Sequence, residues 1–495
     1  MNLLVWTLAV PLATGAIGAL AGPRRFNEGV MVGGLTLTFG LCLGTVRLFL
    51  SGAIPTAFGD VLRVDGLSAL VLLLCGFVGW LSGLYGIGYL RRNEARNLVT
   101  SRMRREFYGL IPAYVFAMLL VSMSNNLGIL WIAVELTTLA SVFLITFHDR
   151  NTSLEAGWKF LMLGSLGLGF ALLGTVLLFA AGQGRLGEGM AALNWTRFIQ
   201  AGSSLHPYTL RLGVVFALIG YGTKAGLAPM HTWKPDAYRE APSPAGVLMA
   251  VGMLNGALYC VLRIHLISTA ALGPEFSGHL LLILGLLSVL IATPFILIQW
   301  NVKRLLAYSS IEHVGIMAIG VGLGGEAGAF GALLHMTYHS LAKPVAFFSA
   351  GTLAQLHKSS NFDEMGTGTF SRAPVASGLL VIAAIMITGS PPFGMFFSEM
   401  IILKAGFSGP HVVATSLFLS TLVMLFCGMA FQIGRLVLGA PREPQDGHAP
   451  ELEWFDLGMA VAIATAVVAI VSAFYLPRFV VTLIHAATRV VGGGA

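Results

Sequence analysis

Runs of about 20 apolar residues, separated by short polar joints, recur from one end of this 495-residue chain to the other. A run of that length crosses the hydrocarbon core of a bilayer as an α-helix. In lipid every backbone N–H and C=O must be satisfied internally, so the pattern admits a helical bundle and excludes an open sheet. Composition agrees: 56% of residues are hydrophobic and only 10% charged, against about a quarter charged in soluble domains. The runs give about fourteen candidate spans, centred near residues 12, 39, 78, 115, 137, 169, 220, 252, 288, 313, 340, 388, 424 and 470. The expected fold class is therefore an all-α integral membrane protein. The opening run MNLLVWTLAVPLATGAIGALAGPRRF has the length of a signal peptide but no basic leading region, and it reads as a retained first helix.

The 29 Lys and Arg against 22 Asp and Glu give a net charge of +7, which by itself suits nucleic acid. Placement argues otherwise. Arg24, Arg25, the cluster RRNEARNLVTSRMRRE, and then Arg150, Lys159, Lys234, Arg239, Lys303, Arg304, Lys358, Arg372, Arg435 and Arg442 fall on one side of the alternating spans. Roughly 18 basic residues lie on that side and roughly nine on the other, so by the positive-inside rule both termini are expected to face outward from a bacterial or archaeal cytoplasmic membrane. Two lysines remain inside the spans. The longest joints, 91–106, 182–208 and 437–455, are too short for a nucleotide, flavin or cluster-binding domain. Cys42, Cys75, Cys260 and Cys427 sit singly in apolar runs without a CxxC pair, which excludes an iron–sulfur or structural zinc site built by this chain. Redox cofactors, if the function needs them, belong to partners.

The spans fall into three amino-terminal helices (1–106), two sets of five (107–265 and 274–438) and a closing loop and helix (439–495). Five is odd, so the second set enters from the opposite side, and any similarity between the sets is an inverted repeat. The seventh span is interrupted at TKAGLAP and the twelfth at TGSPPFG, corresponding positions in the two sets. Gly/Pro interruptions in matching helices point to a transport site near the membrane midplane.

Ionisable residues gather around those interruptions. Lys224 stands in GYGTKAGLAP, Glu135 in ILWIAVELTTLASVFLI, Glu312 and His313 in LLAYSSIEHVGIMAIG, Glu399 in PPFGMFFSEM, and His335, His339 and Lys343 at i, i+4 and i+8 in LLHMTYHSLAK. The last three share one helix face. A bare ammonium at mid-membrane costs about 2.5–3.5 kcal/mol on insertion scales, and such groups mark ion pathways by default. Pairing Lys224 with Glu135 holds a proton and separating them releases it; at an effective dielectric near 20, unit charges 4 Å apart interact by about 4 kcal/mol. Competing readings stand beside this one. A buried Lys224–Glu135 pair can serve packing alone, HxxxH can bind zinc although Lys343 one turn on repels a cation, and Glu312 with His313 can be solvated at the end of their span. Asn125 and Asn126 read as a turn.

Together, ILWIAVEL, GYGTKAGLAPMHTWKPDAYREAPSP, KRLLAYSSIEHVGIM, HMTYHSLAK and PPFGMFFSE resemble the antiporter-like membrane subunits shared by respiratory complex I, multisubunit cation/proton antiporters and membrane-bound nickel–iron hydrogenases. SSIEHVG and HTWKPDAYREAPSP are most similar to the hydrogenase-4 component F family. The resemblance implies a fourteen-helix proton-translocating module with broken seventh and twelfth helices, bound to other membrane subunits and to peripheral redox subunits. It implies no cofactor in this chain, and partners that carry a nickel–iron (NiFe) centre and iron–sulfur clusters. Residue by residue it assigns proton translocation to Glu135, Lys224, His335, His339, Lys343 and Glu399, with His231, Asn255, Glu312 and His313 as accessory. Asn255 departs from the lysine of many relatives and cannot titrate; Lys234 and Tyr238 are substituted in the HTWKPDAY segment. The chain is also expected to stop shortly after its last span. The rival functions are a secondary Na⁺/H⁺ antiporter or inorganic-carbon uptake subunit with no redox partner, and a non-conducting scaffold.

Overall fold

The computed structural model describes residues 2–20, 22–440 and 453–492. Arg442, most of the joint 437–455 and the last three residues lie outside them. The chain begins with α1 (Leu3–Gly18), α2 (Arg24–Leu50), α3 (Gly66–Ala95), α4 (Ser101–Met123), α5 (Leu127–Ile145) and α6 (Asn151–Ala181), with a small hairpin, β1 (Thr56–Ala57) and β2 (Leu62–Arg63), before α3. A short α7 (Trp195–Ala201) leads to α8 (Pro207–Ala225) and α9 (Trp233–Glu240). α10 (Ser243–Val247), a π-helical turn over Leu248–Met253 and α11 (Leu254–Leu272) make one rod of 30 residues. There follow α12 (Pro274–Ile298), α13 (Val302–Gly322), α14 (Gly325–Leu356), α15 (Phe362–Met365), α16 (Pro374–Ile387), α17 (Gly394–Phe407), α18 (Val412–Leu438), α19 (Leu457–Phe474) and α20 (Arg478–Val491).

Ten helices among the described residues are long and apolar enough to cross a membrane. Every predicted span centre falls inside a helical segment except 388, which lies in the break between α16 and α17. Hydropathy does not say which of these helices face lipid; burial does. The apolar stretches of the Ser243–Leu272 rod and of α13 are wholly enclosed, whereas only a third of those of α2 and α18 is. The enclosed rods are the ones that carry Asn255, Arg263, Glu312 and His313. Where helices meet most closely the sequence supplies small residues: a Cβ on Gly220 of α8 would strike the backbone of Ala171 in α6, and one on Gly174 would strike that of Ala217. Such contacts drive association where lipid removes any hydrophobic preference for protein.

Three expectations need correction. The joint 91–106 is largely the helical ends of α3 and α4, and 182–208 holds α7; neither is a free loop. The segment after the last span is more than a tail: the turn at Tyr475–Pro477 leads into α20. That helix buries Val480, Leu483, Ile484, Ala487 and Val491 against the bundle, the helical stripe of a surface helix. Asn125 and Asn126, expected as a turn, lie instead in an extended joint between α4 and α5, where Asn126 bridges to Asn194. Asn126 accepts from the N–H groups of Gly128 and Ile129 and so caps α5, and Asn125 donates to the Asp60 carbonyl and to Thr196.

Candidate functional site

The break after α8 is held open by its own side chains. A helix end leaves carbonyls without intrahelical donors. Here Gly226, at φ +83°, turns the chain out, and its N–H and that of Leu227 return to the Gly222 carbonyl. The Trp233 indole donates to the Thr223 carbonyl at 3.0 Å and the Lys234 ammonium to that of Ala225 at 2.8 Å. Ser288 of α12 accepts from the Ala228 N–H at 2.8 Å. The break is thus a built element, with Lys224 in the last turn before it.

Lys224 is 1% exposed. Its Nζ donates to Thr138 Oγ1 at 2.8 Å and lies 4.5 Å from the centre of the Phe160 ring. Thr138 Oγ1 in turn lies 3.4 Å from Glu135 Oε2 and donates toward it. Expectation and structure differ at this point: among the described residues Lys224 and Glu135 form no direct ion pair, and the threonine hydroxyl stands between them. A hydroxyl accepts and donates at once, so the three groups form a chain from a buried ammonium to a half-buried carboxylate. A small cavity lined by Lys224, Thr137, Val134, Gly252 and Gly256 adjoins it.

The second cluster lies between α13, α14 and α17. His313 Nδ1 and His335 Nε2 are 3.0 Å apart, and His335 Nδ1 is 2.9 Å from Ser398 Oγ. The His339 ring is centred 5.1 Å from that of His313. Among the described residues neither ring nitrogen of His339 meets a protein partner. Lys343 Nζ donates to the Leu306 carbonyl at 3.0 Å. Glu399 follows Ser398 and is 6% exposed; its carboxylate lies against Gly389, the residue with φ +61° that opens the break before α17. Glu312 and His313 are not solvated at a helix end, as the sequence allowed, but buried at the middle of α13. The reason is tertiary: α13 is enclosed on all sides by α9, α12, α14 and α17.

Asn255 links α11 to α14. Its Nδ2 donates to Ser340 Oγ at 2.8 Å, next to His339 on α14, and among the described residues its Oδ1 has no protein partner. His231 lies in the break after α8, 6% exposed.

Sequence reasoning missed several groups. Lys234, assigned to the basic, cytoplasmic side with the loop residues, is fully buried. Thr138 and Ser398 carry hydrogen bonds no spacing rule singles out. Arg263, also fully buried, grips Asp65 through Nη1 and Nη2 at 2.8 and 2.5 Å and stacks 3.9 Å from the Trp195 ring. That pair ties α11 to the start of α3 and stands apart from both clusters. At the arginine-rich end a cavity of about 700 Å³, lined by Arg150, Arg239, Lys303, Lys358 and Glu240, reaches inward to Ser243 and Gly351.

The family model described as NADH:quinone oxidoreductase/Mrp antiporter, TM, matches residues 124–425, which hold both clusters. The chain belongs to this family. A relative described as hydrogenase-4 component F homolog, from Methylacidiphilum infernorum, is 35% identical over 384 residues, 78% of this chain and 80% of the relative. NADH-quinone oxidoreductase subunit N of Chloroflexus aggregans is 29% identical over 480 residues, 95% and 92% of the two chains. Among solved structures, a chain of the membrane-bound sulfane sulfur reductase, an archaeal respiratory membrane complex, superposes with a TM-score of 0.84 at 23% identity, covering 99% of this chain and 97% of that one. At that identity the likeness is one of fold. The family membership and the membrane-length helices make this a multi-pass integral membrane protein.

Proposed function

We propose that this family member is a proton-translocating membrane subunit of a multisubunit redox complex of the hydrogenase-4 or complex I kind. The observation that carries the reading is the pair of enclosed ionisable clusters, each beside a helix break: Glu135–Thr138–Lys224 at the end of α8, and His313, His335, His339, Lys343 and Glu399 beside the start of α17, with Asn255 and Ser340 between them. A scaffold gains nothing from so many ionisable groups in a low-dielectric interior, where each is costly unless hydrated or paired.

In this reading the chain crosses the membrane fourteen times. Helices of 107–265 and 274–438 form two inverted repeats, each with one broken member, and both termini face outward. The arginine-rich end is then cytoplasmic, and its cavity is the inlet. Gly351, at the cavity floor, lies eight residues from Lys343 on α14, about 12 Å along the axis. Glu135, Lys224, His335, His339, Lys343 and Glu399 carry protons, with His231, Asn255, Glu312 and His313 accessory. This chain holds no redox cofactor; partners carry the electron-transfer centres, a nickel–iron site and iron–sulfur clusters, and further membrane subunits flank it.

The test is proton uptake into vesicles containing the assembled complex. Lys224→Met keeps the side-chain length and removes the proton site, and is expected to abolish or strongly reduce uptake; wild-type uptake at equal assembly refutes the reading. A second reading, a cation/proton antiporter subunit with no redox partner, is favoured by the antiporter half of the family description. Purification in mild detergent separates the two: large hydrogenase-like or peripheral redox subunits co-purify in the first case and only small membrane subunits in the second.

A further inference from the structure

The translocation reading leaves a gap between Lys224 and the histidine cluster, because Asn255, which spans it, cannot hold a proton at physiological pH. Lys234 borders the same gap from another element. It stands in the first turn of α9, fully buried, with its alkyl chain laid across Gly226; a Cβ on that glycine would overlap the lysine's Cδ and Nζ. Nζ donates to the Ala225 carbonyl, the next peptide after Lys224, and lies 5.8 Å from the centre of the Tyr238 ring. An ammonium has three N–H donors, and the Ala225 carbonyl takes one. Helix α9 also packs against α13, and His313, His339 and Lys343 lie within electrostatic reach of Lys234.

We propose that Lys234 is the middle carrier of the proton path, exchanging protons with the Lys224 group on one side and with the His313–His339–Lys343 cluster on the other. The inference rests on the translocation reading. Its physical basis is the choice of partner. A lysine held by a carboxylate must break an ion pair to give up its proton, whereas one held by a neutral carbonyl changes protonation and keeps its place. The four-carbon stem lets Nζ swing while α9 stays fixed by the Trp233 indole on Thr223. Four cationic or basic groups in one interior cannot all be charged cheaply, so a proton arriving at one favours departure from the next.

The rival role is a cap, in which the ammonium satisfies the carbonyl end of α8 and complements its dipole. The experiment measures initial proton uptake, at equal assembly, for Lys234→Met, Lys234→Arg and Lys234→His across pH, with Lys224→Met as control. A carrier requires that Met and Arg both lower uptake at least tenfold, since neither releases a proton at working pH. It also requires that His retain part of the rate with an optimum moved to lower pH. A cap gives a wild-type rate with Arg, and that result overturns the proposal. So does wild-type uptake in Lys234→Met, or a Lys234→His variant no better than Lys234→Met. If Lys224→Met also pumps normally, the translocation reading itself falls; if Lys224→Met is dead while Lys234→Met is normal, only the present inference does.

Discussion

Replacing Thr138 with valine tests the chain Glu135–Thr138–Lys224 without touching either charged group. Valine matches threonine in shape, so helix packing around α5 is retained, and what disappears is one hydroxyl. That hydroxyl accepts from Lys224 Nζ at 2.8 Å and sits 3.4 Å from Glu135 Oε2. A hydrogen bond to a charged group is worth about 1.5–3 kcal/mol. The Phe160 ring at 4.5 Å remains as the ammonium's other neighbour and offsets part of the loss. A step that requires the protonated lysine in place should therefore slow by roughly ten- to a hundredfold, at 1.36 kcal/mol per decade. The assay is the initial rate of proton uptake in vesicles, normalised to assembled complex. Thr138→Ser keeps the hydroxyl and should retain most of the rate. In a Lys224→Met background Thr138→Val should add little, because the two act on one coupled unit. A Thr138→Val complex pumping at the wild-type rate, or a further full tenfold loss in the Lys224→Met background, would refute the hydroxyl bridge.

Gly389→Ala should lower uptake at least tenfold with assembly retained, as Glu399→Gln should: the new methyl overlaps the Glu399 carboxylate and the φ of +61° is strained for alanine by about 1–2 kcal/mol. Uptake unaffected by Gly389→Ala would show that the position of Glu399 is immaterial. Asp65→Ala strands the buried Arg263 guanidinium and should cost about 3–5 kcal/mol, read as a lower melting temperature in detergent, while Asp65→Ala with Arg263→Met recovers part of it; an unchanged melting temperature in the single variant contradicts a structural role for the pair. His148, between α5 and α6, is held down to about 4 from the usual 6.5 by burial and by the nearby Lys303 and Arg150. Its folded-state value is depressed, so the fold favours the neutral ring; the contribution is complete above pH 6.5 and is lost as pH falls toward 4. His148→Gln should flatten the decline of melting temperature over that window, and equal slopes in the two proteins would refute the assignment.

Helix existence was legible because lipid permits little else: the run from Gly66 to Ala95 could only be a span. The breaks were legible because glycine and proline interrupt apolar text at Gly226–Pro229 and Gly389–Pro392. The titratable groups of both clusters were found because a charge in such text is conspicuous. Lys234 was not, since it lies among Asp236, Arg239 and Glu240 and reads as a surface lysine until α9 folds back beneath α13. Thr138 and Ser398 were hidden for the opposite reason: hydroxyls are unremarkable in membrane helices, and their partners come from elements 86 and 63 residues away. The depth of Glu312 and His313 depended on which helices surround α13, a fact of packing that no window of sequence contains. Helix α20 could have been read from its stripe of Val480, Leu483, Ile484, Ala487 and Val491; a search tuned to 20-residue runs passes over a 14-residue surface helix.

The π-helical turn at Leu248–Met253 sets the phase of everything after it. Its wider turn holds about one residue more than an α-turn, and each residue in an α-helix advances the face by about 100°. Asn255, Tyr259 and Arg263 follow at intervals of four and reach Ser340, Ser68 and Asp65, partners on two different helices. Shortening the 248–253 turn by one residue would rotate all three side chains together, unfastening the link to α14 and both links to α3 in one stroke. The polar bond beside the histidine cluster and the ion pair near the far end of the rod are thus settings of a single dial, and one residue of length is its step.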